Sequence, residues 1–106
     1  RVAEARARAD AARRALDDLE RRIRLEVTQR ALELETARAA VGVAERSLVS
    51  ARENRRVADE RYRAGVIPSS ELLDAETALL RAGLNRVSAL ARAEVASAAL
   101  ARATGR

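Results

Sequence analysis

The side chains able to do chemistry in this sequence are arginines, carboxylates, a few hydroxyls and one phenol, Tyr62. His, Cys, Met, Phe and Trp are absent from its 106 residues, and all 21 basic residues are Arg. Without His or Cys the usual ligands of zinc, copper, haem and iron–sulfur centres are missing, so no metal and no cofactor is expected. The commonest general base and the thiolate nucleophile are missing as well. Arg stays protonated throughout the working pH range. What remains is electrostatics: carboxylates placed to repel, to pair with a guanidinium or to complement a helix end. An enzyme is not expected.

Sixteen acidic residues against the arginines leave a formal net charge of +5. The acids are interleaved with the bases rather than segregated from them. Glu4–Arg8, Asp10–Arg14, Asp17–Arg21, Asp18–Arg22, Glu20–Arg24 and Glu26–Arg30 each place the acid four residues before the base. That is the favourable helical order, worth roughly 0.2–0.5 kcal/mol per pair. The pattern predicts a solvated helix face. A nucleic-acid footprint would need clustered cations and stacking rings, so no nucleic-acid partner is expected.

Positioning such side chains falls to long helices. Ala fills 26 positions, and with Arg, Glu and Leu abundant and large rings absent the composition suits helices packed side by side better than a thick core. No run approaches the ~18–20 apolar residues of a membrane-spanning helix. An opening Arg without a leader pattern suggests a cut or processed N-terminus. Helix breakers gather in one place, Ala64-Gly65-Val66-Ile67-Pro68-Ser69-Ser70. Gly65 suits the left-handed residue that ends a helix, with Val66 folding back as its apolar contact. Pro68 is acceptable in the first turn of the next helix, which Ser69 or Ser70 would cap. Glu71 and Asp74 then lie where the helix dipole favours negative charge.

The prediction is all-α: one antiparallel, coiled-coil-like hairpin over residues 1–106, with helices at about 2–63 and 70–103 and a turn at 64–69. In the first helix Leu34, Val41, Leu48 and Tyr62 recur on a period of seven, with Ala37, Ala44, Ala51 and Ala58 between them and Arg55 interrupting. Tyr62 would pack at the wide end of the hairpin. In the second, Leu73, Leu80 and Val87 recur likewise, with Leu84, Ala91 and Ala98 beside them, and this stripe is expected to face the first helix. At 1.5 Å per residue the helices would run roughly 90 and 50 Å, so the second returns only to about Thr28. Leu16, Leu19, Ile23 and Val27 would have no partner within the chain unless the first helix bends. A break at Gly42, giving three helices, is the alternative.

Arg61-Tyr62-Arg63-Ala64-Gly65, followed by Glu71-Leu72-Leu73-Asp74-Ala75-Glu76-Thr77-Ala78-Leu79, resembles the periplasmic turn of TolC-type outer membrane efflux proteins. Leu25 to Leu34 is similar to that family's descending helix, and Ala98 to Gly105 to the end of its ascending one. The resemblance runs from about Ile23 to Gly105. It implies a trimeric channel whose β-barrel crosses the outer membrane and whose α-helical barrel extends into the periplasm. This chain would be a periplasmic hairpin of one helical repeat. The implied partners are a periplasmic adaptor and an inner-membrane transporter, working in efflux or type I secretion. The implied adaptor-contacting tip is Arg63, Gly65, Val66, Ile67, Pro68 and Ser69. Glu71 and Asp74 match the acidic positions that ring the closed entrance, with Arg63 as the nearest cation for a latch. Relatives often carry Ser or Thr three residues after the Gly; here Pro68 stands there, so the reciprocal cap with Glu71 is lost.

Two alternatives remain open from the residues. Adaptor α-hairpins are also Ala-rich, and their tips carry a similar Arg, Leu, Gly, Ile, Ser pattern that Gly65-Val66-Ile67 fits as well, though the Arg-Tyr pair and the Leu-Leu-Asp-Ala run are closer to the channel. An unrelated structural coiled coil would show the same heptads.

Overall fold

The computed structural model describes residues 1–105 and contains two helices, α1 (Val2–Arg63) and α2 (Ser69–Ala103), packed antiparallel. The first is the longer, at 62 residues against 35. The molecule measures 94 × 21 × 13 Å, a thin rod set by the length of α1. No strand forms among the described residues.

Helix α1 runs unbroken through Gly42, which excludes the three-helix alternative. A Cβ at that glycine would meet only the Arg46 guanidinium, at 3.5 Å, so nothing there demands a break. Its packed stripe is the expected one. Leu34 and Ala44 are buried, and Ala37, Val41, Leu48, Ala51 and Ala58 are half-buried. Large and small residues alternate along it, so the axes can approach while Leu and Val fill the gaps. Tyr62 is less engaged than expected, at 44% exposed.

Helix α2 uses a different face from the expected one. Ala82 and Ala89 are buried against α1, and Leu72, Ala75, Leu79, Arg86 and Ala93 are half-buried or continue the same heptads. The stripe expected to pack points outward: Leu73, Leu80, Leu84 and Val87 are each about 60% exposed, and Ala91 and Ala98 are exposed. Both stripes repeat every seven residues, and the second is displaced from the first by one to two residues along the chain. The turn makes the choice. Ile67 tucks in beside Val57 and Ala58, and α2 therefore starts with Leu72 rather than Leu73 aimed at α1.

At the far end α2 stops where Ala99, Arg102 and Ala103 lie against Glu26 and Arg30. The Thr104 hydroxyl donates to the carbonyls of Leu100 and Ala101 at 3.0 and 3.1 Å, and Gly105 takes a left-handed φ of 79°. Residues 2–25 of α1 consequently project unaccompanied for about 36 Å. Leu16, Leu19 and Ile23 are about half exposed or more, while Val27 is half-buried where α2 ends.

The six acid–base pairs expected along the N-terminal half do not close to ion-pair distance among the described residues. The ion pairs form further along, where other spacings and a second helix supply partners. Arg30 bonds Glu33 through one nitrogen at 2.9 and 3.1 Å, rather than Glu26. The bond and charge of Glu33 hold the Arg30 guanidinium above its usual range. Among the described residues no helix is long and apolar enough to cross a membrane.

Candidate functional site

The tip is built by how α1 ends. Gly65 adopts a φ of 74°, the left-handed conformation in which a Cβ would crowd the following carbonyl. With that reversal the Gly65 N–H donates to the Tyr62 carbonyl at 3.0 Å and the Val66 N–H to the Arg61 carbonyl at 2.9 Å. These paired bonds satisfy the last carbonyls of α1, the Schellman arrangement. Its usual apolar contact is missing, because Val66 remains 70% exposed. Ile67 turns inward in its place and, with Asn54, Val57, Ala58, Arg61 and Glu71, lines a shallow cleft beside the turn.

Pro68 precedes α2 as its N-cap, with extended backbone at φ −74° and ψ 162°, rather than occupying the first turn. Neither Ser69 nor Ser70 caps the helix: no side chain bonds to its free N–H groups. The Glu71 N–H instead donates to the Pro68 carbonyl at 3.1 Å. Glu71 therefore stands in the first turn of α2, complementing the positive end of its dipole. Asp74 follows one turn later. Both carboxylates are exposed, and neither has an ion-pair partner among the described residues.

Arg63, the expected latch cation, is engaged within its own helix, its Nε 3.2 Å from Asp59 Oδ2. One to two turns above the tip, Arg56 clasps two acids that the i, i+4 reading passed over. Its Nε and Nη2 donate to the Glu53 carboxylate at 2.9 and 2.6 Å, and Nη1 donates to Glu60 at 2.7 Å. The bidentate bond from Arg56 pulls the Glu53 carboxyl below the usual glutamate range. The same bond and charge raise the Arg56 guanidinium further. The spacing Glu-x-x-Arg-x-x-x-Glu is the signal that would have found this network.

The structure thus brings Gly65, Val66, Ile67, Pro68, Ser69, Glu71 and Asp74 to one end of a rod, with Arg63 beside them but already paired. No cluster of three or more acidic side chains suited to a metal ion occurs among the described residues. The arrangement can present two uncompensated carboxylates and an apolar residue, Val66, to whatever meets the tip. Along the rod, the outward stripe of α2 is a second feature available for contact.

Against known proteins, a family model described as outer membrane efflux protein matches residues 1–106, the whole chain. Neither the curated proteins nor the solved structures compared with it give a match.

Proposed function

The chain belongs to the outer membrane efflux protein family, a channel and transport family, and from that premise we propose that it forms part of a periplasmic helical wall. In the proposed assembly three full-length subunits make a channel anchored in the outer membrane. It exports substrates by efflux or type I secretion, in series with a periplasmic adaptor and an inner-membrane transporter. The family match favours this reading over an adaptor hairpin or an unrelated coiled coil.

The observation that carries it is the pair of apolar seams on α2. One is spent on α1. The other, Leu73, Leu80, Leu84 and Val87, lies roughly 150° further round the helix on heptad geometry and is left exposed by the described residues. A helix with two seams at an obtuse angle has two neighbours, and repeating that angle curves successive hairpins into a closed wall instead of a flat sheet. The unaccompanied half of α1 likewise asks for a neighbour along Leu16, Leu19 and Ile23.

The tip residues Arg63, Gly65, Val66, Ile67, Pro68 and Ser69 are proposed to meet the adaptor, with Glu71 and Asp74 at the channel's constriction. Gating here is electrostatic. Copies of unpaired carboxylates brought together at a narrow entrance repel one another. Counter-ions therefore favour closure, and an Arg63 latch would have to draw that guanidinium away from Asp59. The test is single-channel conductance of the full-length protein carrying Glu71→Arg and Asp74→Arg. Altered current through the closed state is expected, together with loss of sensitivity to divalent cations. Unchanged current and cation block would remove both residues from the constriction.

A further inference from the structure

Two arginines stand where the packed seam would otherwise carry apolar side chains. Arg55 falls between Leu48 and Tyr62 in the seven-residue series of α1. Arg86 falls between Leu79 and Ala93 in that of α2 and is half-buried. Each reaches a carboxylate on the opposite helix. Arg55 Nη2 lies 3.5 Å from Glu76 Oε1, and Arg86 Nη2 lies 3.8 Å from Glu45 Oε1. Glu45 lies ten residues before Arg55, and Glu76 lies ten residues before Arg86. In an antiparallel pair those equal separations mean that one register closes both clamps together.

Apolar packing does not protect that register by itself. Both seams repeat every seven residues and carry one Ala per heptad, so sliding α2 along α1 by one heptad, about 10 Å, sets small residues against small residues again. Charge is what changes. A slip in either direction opens both clamps. It also carries Arg86 from Glu45 to the position seven residues away on α1, which is Arg52 in one direction and Arg38 in the other. Each pair is half exposed and weak alone. Their effect lies in the difference between registers, where attractions are lost and a like-charge contact is made.

We propose that the Arg55–Glu76 and Arg86–Glu45 ion pairs fix the sliding register of the hairpin, so that displacement at the tip is transmitted by one rigid strut. This holds whether or not the tip lines a channel entrance.

The sequence has no cysteine, so introduced pairs report without background from native thiols. In the intact protein Ala44→Cys with Ala89→Cys reads the native register, because both residues line one cleft. Ala44→Cys with Ala82→Cys reads a one-heptad slip in one direction, and Ala51→Cys with Ala89→Cys the slip in the other. With native charges only the first pair should form a disulfide readily. In Arg55→Glu/Arg86→Glu both clamps become repulsive, and position 86 gains Arg52 or Arg38 as a slipped partner. Slipped disulfides should then rise about fivefold or more. Adding Glu45→Arg and Glu76→Arg, which restores both attractions in the native register, should lower the slipped disulfides again but not to the original level, because the negative charge at position 86 still meets Arg52 or Arg38 when slipped. Should the double reversal not fold, Arg86→Glu alone opposes a single clamp and carries the same readout. Slipped disulfides that stay at the native-charge level in the folded variant overturn the proposal and leave the Gly65 turn to set the register alone.

Discussion

Two glycines with equally open surroundings should respond to alanine with opposite sign, which isolates backbone conformation from packing. A Cβ at Gly65 or at Gly83 would meet no atom within 4 Å, so neither substitution clashes. Gly65 sits at a φ of 74°, where a side chain costs about 1–2 kcal/mol against the following carbonyl. Gly83 lies in the interior of α2, where replacing glycine with alanine gains about 0.5–1 kcal/mol because less chain freedom is lost on folding. The two variants should therefore differ by about 1.5–3 kcal/mol. The assay is urea and thermal denaturation of the 106-residue hairpin followed by far-UV circular dichroism. At about 4–8 °C per kcal/mol for a chain of this size, Gly65→Ala should melt clearly below the parent and Gly83→Ala above it. Gly65→Asn should fall between parent and Gly65→Ala, since Asn tolerates the left-handed region better. A Gly65→Ala hairpin as stable as Gly83→Ala would refute the reasoning, because the turn would then not depend on the left-handed residue.

Packing and charge make further predictions. Leu34→Ala removes the one large side chain buried in the seam among the described residues and should cost about 2–3 kcal/mol in the same denaturation assay. Leu80→Ala on the outward stripe should change hairpin stability by less than about 0.5 kcal/mol. In the full-length protein, Leu80→Glu with Leu84→Glu should reduce assembly seen by sedimentation while circular dichroism of the hairpin is unchanged; intact assembly would count against the stripe as a subunit contact. Leu16→Glu with Ile23→Glu should likewise reduce association of the 106-residue chain, since both residues lie on the unaccompanied part of α1. Glu53, held below the usual glutamate range by Arg56, keeps its favourable contact above that range and loses it as pH falls through the lowered value. Nuclear magnetic resonance titration should show the Glu53 midpoint rise in Arg56→Ala.

Much of the fold was legible because helix ends are local. Gly65 and Pro68 stand in the one cluster of breakers, in a chain with no other Pro and only isolated glycines elsewhere, and the unequal distances on either side imply an overhang. The packed stripe of α1 was legible too, because one of its faces alternates Leu or Val with Ala from Leu34 to Ala51. The details of the tip were less so. Ser69 and Ser70 have the chemistry of caps, yet the backbone places Pro68 in the capping position and leaves both hydroxyls without that bond. Val66 was expected to cover the turn; Ile67 covers it, since the reversal at Gly65 directs the next side chain outward and the following one in.

The sequence by itself determined that this chain is a pair of unequal helices joined at Gly65, and its turn motif pointed to the family that the whole chain then matched. Tertiary structure decided the rotation of α2 about its axis and the partners of the charges. Two stripes on α2 share a period of seven, so periodicity alone cannot choose between them; the geometry of a short turn and the space beside α1 can. The choice sets Ala75, Ala82 and Ala89 against α1, turns Leu73, Leu80, Leu84 and Val87 outward, and brings Arg55 to Glu76 and Arg86 to Glu45. Those cross-helix pairings join residues more than twenty positions apart in the chain, which no local spacing rule can read.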